Sequence, residues 1–126
     1  MPHDKKILIA EDDPDIRLIL EMVLRDAGYA VESIANGKSI FERNEWPDLL
    51  VLDKALPVVD GFAICKYLKL KKETRDIPII MISCYHHLKR KASELGVVDF
   101  IDKPFDLKHF LSAVDKHMKE VMHGGE

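Results

Sequence analysis

Two stretches of this chain, Leu49-Leu50-Val51-Leu52 and Ile79-Ile80-Met81-Ile82, are apolar at every position. A strand with one face in water alternates apolar and polar residues, whereas a strand covered on both faces has no need to. The two runs therefore call for a sheet packed on both sides. Each ends on a polar residue, the first on Asp53 and the second on Ser83. The C-terminal ends of such strands are where open parallel sheets place their chemistry.

The rest of the chain alternates strand and helix signals around these runs. Lys6-Ile7-Leu8-Ile9-Ala10 is a strand that ends in Glu11-Asp12-Asp13. Asp13-Pro14 is a helix start, a capping side chain followed by a residue whose missing N–H costs nothing at the first helical position. Ile16, Ile19, Leu20, Val23, Leu24 and Ala27 then recur at helical spacing, and Gly28 ends the helix. Tyr29–Ser33 is a weak strand, Asn36-Gly37 opens a short helix through about Arg43, and 48–53 is the central strand. Asp60-Gly61 begins a helix with Phe62, Ile64, Cys65 and Leu68 inward and Lys66, Lys69, Lys71 and Lys72 in solvent.

A strand follows over 76–83, with Pro78 near its start. His86–Leu95 reads as a short helix with Leu88, Ala92 and Leu95 on one side, closed by Gly96, and 97–102 as the last strand. The final helix repeats Leu107, Phe110, Leu111, Val114, Met118 and Val121. Five strand–helix alternations without linkers or repeats predict an α/β fold, a doubly wound five-stranded parallel sheet with helices on both faces.

At 126 residues the chain is expected to form one domain, 1–126. A net charge of -3 gives no bulk attraction to nucleic acid or an anionic membrane, so no direct nucleic-acid contact is expected; the one dense basic patch is Lys89-Arg90-Lys91. No apolar stretch is long enough to span a bilayer, and residues 1–6 lack a secretory core, so the expected location is the cytoplasm. Cys65 and Cys84 sit in apolar contexts and read as reduced core residues. His86 and His87 are adjacent and make a poor metal pair on a helix, and His3, His109, His117 and His123 read as surface residues.

In a doubly wound sheet the first, third, fourth and fifth strands are neighbours, so Glu11, Asp12, Asp53, Ser83 and Lys103 converge in one crevice. Taken singly, Asp53 could be a loop cap, Ser83 a plain strand-end hydroxyl, Phe100 a core aromatic and Lys103 a loop lysine. Together, three carboxylates would repel strongly without a cation. The expected cation is a hard divalent ion with oxygen ligands, Mg²⁺ above all. Lys103 adds a compact positive charge, and Ser83 a hydroxyl able to donate to an oxyanion. This describes a phosphoryl pocket in which the Asp53 carboxylate can act as nucleophile.

Four features occur in a fixed order: Glu11-Asp12-Asp13, then Asp53-x-x-Leu56-Pro57-x-x-Asp60-Gly61, then Ser83, then Phe100-x-x-Lys103-Pro104-Phe105. Across essentially its whole length the chain resembles the receiver domain of a two-component response regulator. The resemblance implies the flavodoxin-like strand order 2-1-3-4-5. It implies a phosphorylation-activated switch that accepts a phosphoryl group on Asp53 from a sensor histidine kinase or phosphotransfer protein, and not an enzyme in its own right. By the same resemblance, Glu11, Asp12, Asp53 and the Ala55 backbone carbonyl hold Mg²⁺, Glu11 through water. Ser83 and Lys103 contact the phosphoryl oxygens, Phe100 changes rotamer with Ser83, and the Lys103-Pro104 bond is cis. Output would pass through the fourth helix, fifth strand and fifth helix to a protein target, an output domain or a phosphorylation-linked second copy.

The chain departs from the family pattern at several places. Lys54 follows Asp53 where an uncharged residue is usual, a change that either weakens Mg²⁺ binding or favours the phosphorylated form. Cys84 stands where a small residue is typical, and the segment from Ser83 to Gly96 runs a couple of residues short, which bears on the fourth helix. Ala55 and Tyr85 occupy the positions that tune attack of water on the acyl phosphate. Neither positions water as an amide or acid would, so slow self-dephosphorylation is expected. Two rival readings exist. A phosphatase of haloacid dehalogenase type looks for an acid two residues after the nucleophile, where this chain has Ala55. A degenerate receiver used only for binding has no need of Asp12, Asp53, Ser83 and Lys103 together.

Overall fold

The computed structural model describes residues 5–124. Five strands, β1 (Lys6–Ala10), β2 (Ala30–Ile34), β3 (Leu49–Asp53), β4 (Ile79–Ser83) and β5 (Asp99–Asp102), form one sheet in the order β2-β1-β3-β4-β5. Every pairing is parallel. Four α-helices connect or follow them: α1 (Pro14–Asp26), α2 (Gly61–Leu70), α3 (Lys89–Glu94) and α4 (Leu107–Gly124). The flavodoxin-like α/β fold expected from the sequence is the one observed.

The pleat sorts the apolar runs onto two faces, because successive side chains point to opposite sides. Leu8, Leu50, Leu52, Ile79, Met81 and Phe100 face Ile64, Cys65, Leu68 and Ala92 of α2 and α3. Ile7, Ile9, Leu49, Val51, Ile80, Ile82 and Ile101 face Leu20 and Leu24 of α1 and Phe110, Val114 and Met118 of α4. All five residues of β3 and of β4 are buried. Their unbroken apolarity is the direct result of cover on both sides.

Several local expectations are corrected. The connection after β2 is a 3-10 segment, Lys38–Glu42, rather than a helix through Arg43; it contributes one fully buried residue, Ile40. The segment after β4 begins with a 3-10 turn, His86–Leu88, and only Lys89–Glu94 is α-helical. β4 stops at Ser83, so Cys84 is exposed rather than a core thiol, while Cys65 is buried as expected. On α1, Ile19 is 45% exposed and lies beside the exposed Leu18 and Met22. Lys69 and Lys71 are not simply solvated: Lys69 Nζ donates to the Arg75 carbonyl at 3.0 Å, and Lys71 Nζ lies over the rings of Trp46 and Tyr67.

His117 is also corrected. It is buried at 5% exposure, with Nε2 3.1 Å from Asp99 Oδ2 and Nδ1 2.9 Å from Glu120 Oε1, and it ties α4 to the start of β5. His109 is exposed as expected, whereas His3 and the side chain of His123 lie outside the described residues. No helix among the described residues is long and apolar enough to cross a membrane.

Candidate functional site

The sheet's C-terminal rim gathers the polar strand ends. Asp53 ends β3 at 3% exposure, Glu11 follows β1 with none, and Asp12 beside it is exposed. Oxygen atoms of these three carboxylates lie within 4.8 Å of one another. Lys103, just past β5, brings its Nζ to 3.0 Å from Asp53 Oδ2 and 3.0 Å from Glu11 Oε1. Only the first of these has hydrogen-bond geometry, so Glu11 Oε1 is a fully buried oxygen with no hydrogen-bond donor.

Local chain chemistry sets these positions. Asp13 caps α1, its Oδ1 accepting from the Asp15 and Ile16 amides at 2.9 and 3.2 Å, and its own amide donates to Glu11 Oε2 at 3.1 Å. Arg17, unremarked in the sequence, reaches back to donate to the Glu11 carbonyl at 2.9 Å and the Asp12 carbonyl at 3.4 Å. Its only sequence signal is an arginine one turn inside a helix that follows an acidic loop. Beyond β3, the Ala55 amide donates to Asp53 Oδ1 at 3.1 Å. The Lys103-Pro104 bond is cis, as the resemblance implied.

Two of the charges, those of Glu11 and Lys103, are shifted. Burial, with Asp53 hydrogen-bonded beside it, pushes the Glu11 carboxyl up to about 7. Burial alone would depress the Lys103 ammonium, but Glu11 and Asp53 outweigh it and hold it above its ordinary range. One ammonium thus serves two buried carboxylates, with a third at the rim. The donor set is all oxygen, one of those oxygens is orphaned, and the acids carry more negative charge than Lys103 offsets. These are the conditions that a hard divalent cation fits.

Ser83, 2% exposed, ends β4 beside this group, and its Oγ accepts from the Tyr85 amide at 2.9 Å. The Lys103 amide donates to the Ser83 carbonyl at 2.8 Å, joining the two strand ends. Phe100 is already turned into the core at 8% exposure. Tyr85 is 54% exposed, its ring edge-on to His87. Nothing in the local sequence signals a contact for His86, yet its Nδ1 lies 2.9 Å from Asp102 Oδ2, linking the loop after β4 to the end of β5. All the expected side-chain ligands therefore meet at one rim. Asp60 is the cap of α2, with Oδ1 accepting from the Phe62 amide at 2.7 Å.

Comparison with known proteins gives a consistent result. The family model described as "Response regulator receiver domain" matches residues 7–115. The "DNA-binding dual master transcriptional regulator RpaA" of Synechocystis is 35% identical over 113 residues, which cover 86% of this chain and 47% of that protein. The chain spans about half the length of the curated relatives it matches. Among solved structures, a response regulator receiver domain protein of Methanospirillum hungatei superposes with a TM-score of 0.87 at 25% identity, covering 97% of this chain and 99% of that one. The response regulator TrrA of Thermotoga maritima, solved in complex with Mg(2+)-BeF, gives 0.80 at 27%, covering 89% and 97%.

Proposed function

The chain belongs to the response regulator receiver domain family, and on that footing we propose that Asp53 is its phosphoacceptor in a two-component phosphorelay. The observation that carries this reading is the meeting of Glu11, Asp12 and Asp53 oxygens within 4.8 Å, with Lys103 at 3.0 Å from Asp53. A carboxylate in that setting is nucleophilic, and the neighbouring charges are placed for an incoming phosphoryl group.

In the proposed transfer, an Asp53 carboxylate oxygen forms a bond to phosphorus while the bond to the donor's histidine nitrogen breaks, and the electron pair leaves with the imidazole. Lys103 moves from pairing with Asp53 toward the new phosphoryl oxygens. The Ser83 hydroxyl donates a hydrogen bond to another of them. Glu11, Asp12, Asp53 and the Ala55 carbonyl would hold Mg²⁺, which when bound supplies charge neutralisation for the acids and the phosphoryl oxygens. The TrrA complex supports this choice of ion.

The domain acts as a switch rather than an enzyme with a turnover substrate. Its partners are a histidine kinase or phosphotransfer protein on one side and a protein target, an attached output domain or a second copy on the other. The output face is α3, β5 and α4, with Ser83 as the moving part; Phe100 already lies in the core, so the inward turn expected of it has no room to occur from this conformation. Acetyl phosphate with Mg²⁺ tests the proposal directly. A stable mass gain of one phosphate, absent from Asp53→Ala, is expected, while catalytic turnover of phosphate esters would replace this reading with a phosphatase.

A further inference from the structure

Lys54 follows Asp53 directly, yet its ammonium is directed to the first turn of α2. Its Nζ lies 2.6 Å from Asp60 Oδ2 and 4.8 Å from the centroid of the Phe62 ring, and only 20% of the side chain is exposed. The backbone closes at the same place. The Gly61 amide donates to the Lys54 carbonyl at 2.9 Å, and a Cβ on Gly61 would stand 2.9 Å from both the Asp53 carbonyl oxygen and Lys54 Cα. The loop from Ala55 to Val59 is thus pinned at its two ends, by Lys54 on one side and Asp60, Gly61 and Phe62 on the other.

Within this loop Val58 has φ of 73°, a left-handed conformation that a β-branched side chain resists. Val58 is 78% exposed, so packing does not hold it there. A tight turn closes directly across it, the Val59 amide donating to the Pro57 carbonyl at 2.8 Å, and the closure between Lys54 and Asp60–Phe62 brackets that turn from outside. The loop begins with Ala55, whose amide is already engaged with Asp53 Oδ1.

We propose that Lys54 is a positioning residue for phosphoryl transfer: by clamping Asp60 and Phe62 it fixes the loop that presents Ala55 to Asp53 and to the cation. The role rests on the reading of this site as a Mg²⁺-dependent phosphoacceptor. It also resolves the oddity of a cation beside an acidic site. A free lysine would repel Mg²⁺, whereas a lysine whose charge is engaged by Asp60 organises the site instead.

The test compares wild type with Lys54→Met, Lys54→Arg and Asp60→Asn, using calorimetric Mg²⁺ titration and, without metal, amide hydrogen exchange over 55–61. Lys54→Met is expected to weaken Mg²⁺ binding roughly three- to tenfold and to speed exchange in the loop, the size set by one exposed ion pair and one cation–π contact. Lys54→Arg restores both readouts, and the Lys54→Met, Asp60→Asn double variant is no worse than either single one. Exchange left unchanged by Lys54→Met overturns the proposal, as does tighter Mg²⁺ binding by that variant. A wild-type protein that binds no Mg²⁺ would overturn the site reading instead, and the metal-free exchange would still decide the role of Lys54.

Discussion

Lys103 and Asp53, fifty residues apart in the chain, meet at 3.0 Å across the end of β4. This ammonium is also the nearest balancing charge for Glu11, at 3.0 Å, so removing it strands two buried carboxylates. Lys103→Met is expected to lower stability by about 3 to 5 kcal/mol without metal, since breaking a buried pair costs more than its net worth. Mg²⁺ should recover a larger share of stability in the variant than in wild type, as read by urea melts with and without the ion.

Gly61 is required by a close approach of backbone to backbone. Its missing Cβ would lie 2.9 Å from the Asp53 carbonyl oxygen and 2.9 Å from Lys54 Cα, neither of which can swing aside. Gly61→Ala should cost about 1 to 3 kcal/mol through this overpacking and slow phosphorylation by displacing Asp53. Thermal melts and the rate of labelling by acetyl phosphate check the two effects separately.

Glu32 gives the fold a defined acid response. The Arg43 guanidinium, forked onto it at 2.8 and 2.9 Å, together with Lys6 at 3.1 Å, holds its carboxyl down at about 2 from the usual 4.5. Because the folded value is the lower one, its contribution is present above about pH 4.5 and is lost as pH falls toward 2. The carboxylate is 39% exposed, so water screens the pair and Glu32→Gln should cost under about 1 kcal/mol at pH 7. Urea melts across this range should show the wild-type advantage shrinking as the solution is acidified.

His117 is a buried strut between α4 and β5. His117→Ala removes the partner of Asp99 Oδ2 and leaves a gap under α4, for an expected loss of about 1 to 3 kcal/mol by urea melt. The site lies at the other end of β5, so Asp53 labelling by acetyl phosphate should persist wherever the variant is folded.

Ala55 and Tyr85 offer no side-chain amide or acid at the mouth of the site, and both are exposed. The Ala55→Asn, Tyr85→Glu variant should lose its phosphate faster than wild type, by about tenfold or more if both groups orient water. Decay of the phosphorylated mass with time after removal of the donor gives the rate.

What could be read from the chain followed from burial on two faces. The uninterrupted runs of β3 and β4 announced a covered sheet, and their terminal Asp53 and Ser83 marked the rim where chemistry gathers. Capping at Asp13 and Asp60 was equally legible, because the capping oxygen and the helix start are adjacent in sequence. The misses are long-range. His117 is buried because Asp99, eighteen residues away, lies opposite it, and nothing near position 117 signals that. Lys54 reads as a lone charge until Asp60 is seen beside it. Cys84 hinged on where β4 ends, and an apolar context cannot fix a strand boundary to one residue.

The Ser83 hydroxyl takes the Tyr85 amide on one of its lone pairs, which leaves its own hydrogen uncommitted. In the proposed transfer Ser83 would therefore be able to donate to a phosphoryl oxygen while still holding its neighbour. A shift of that oxygen would draw the Tyr85 turn with it, and His86, 2.9 Å from Asp102, joins the same turn to the end of the edge strand.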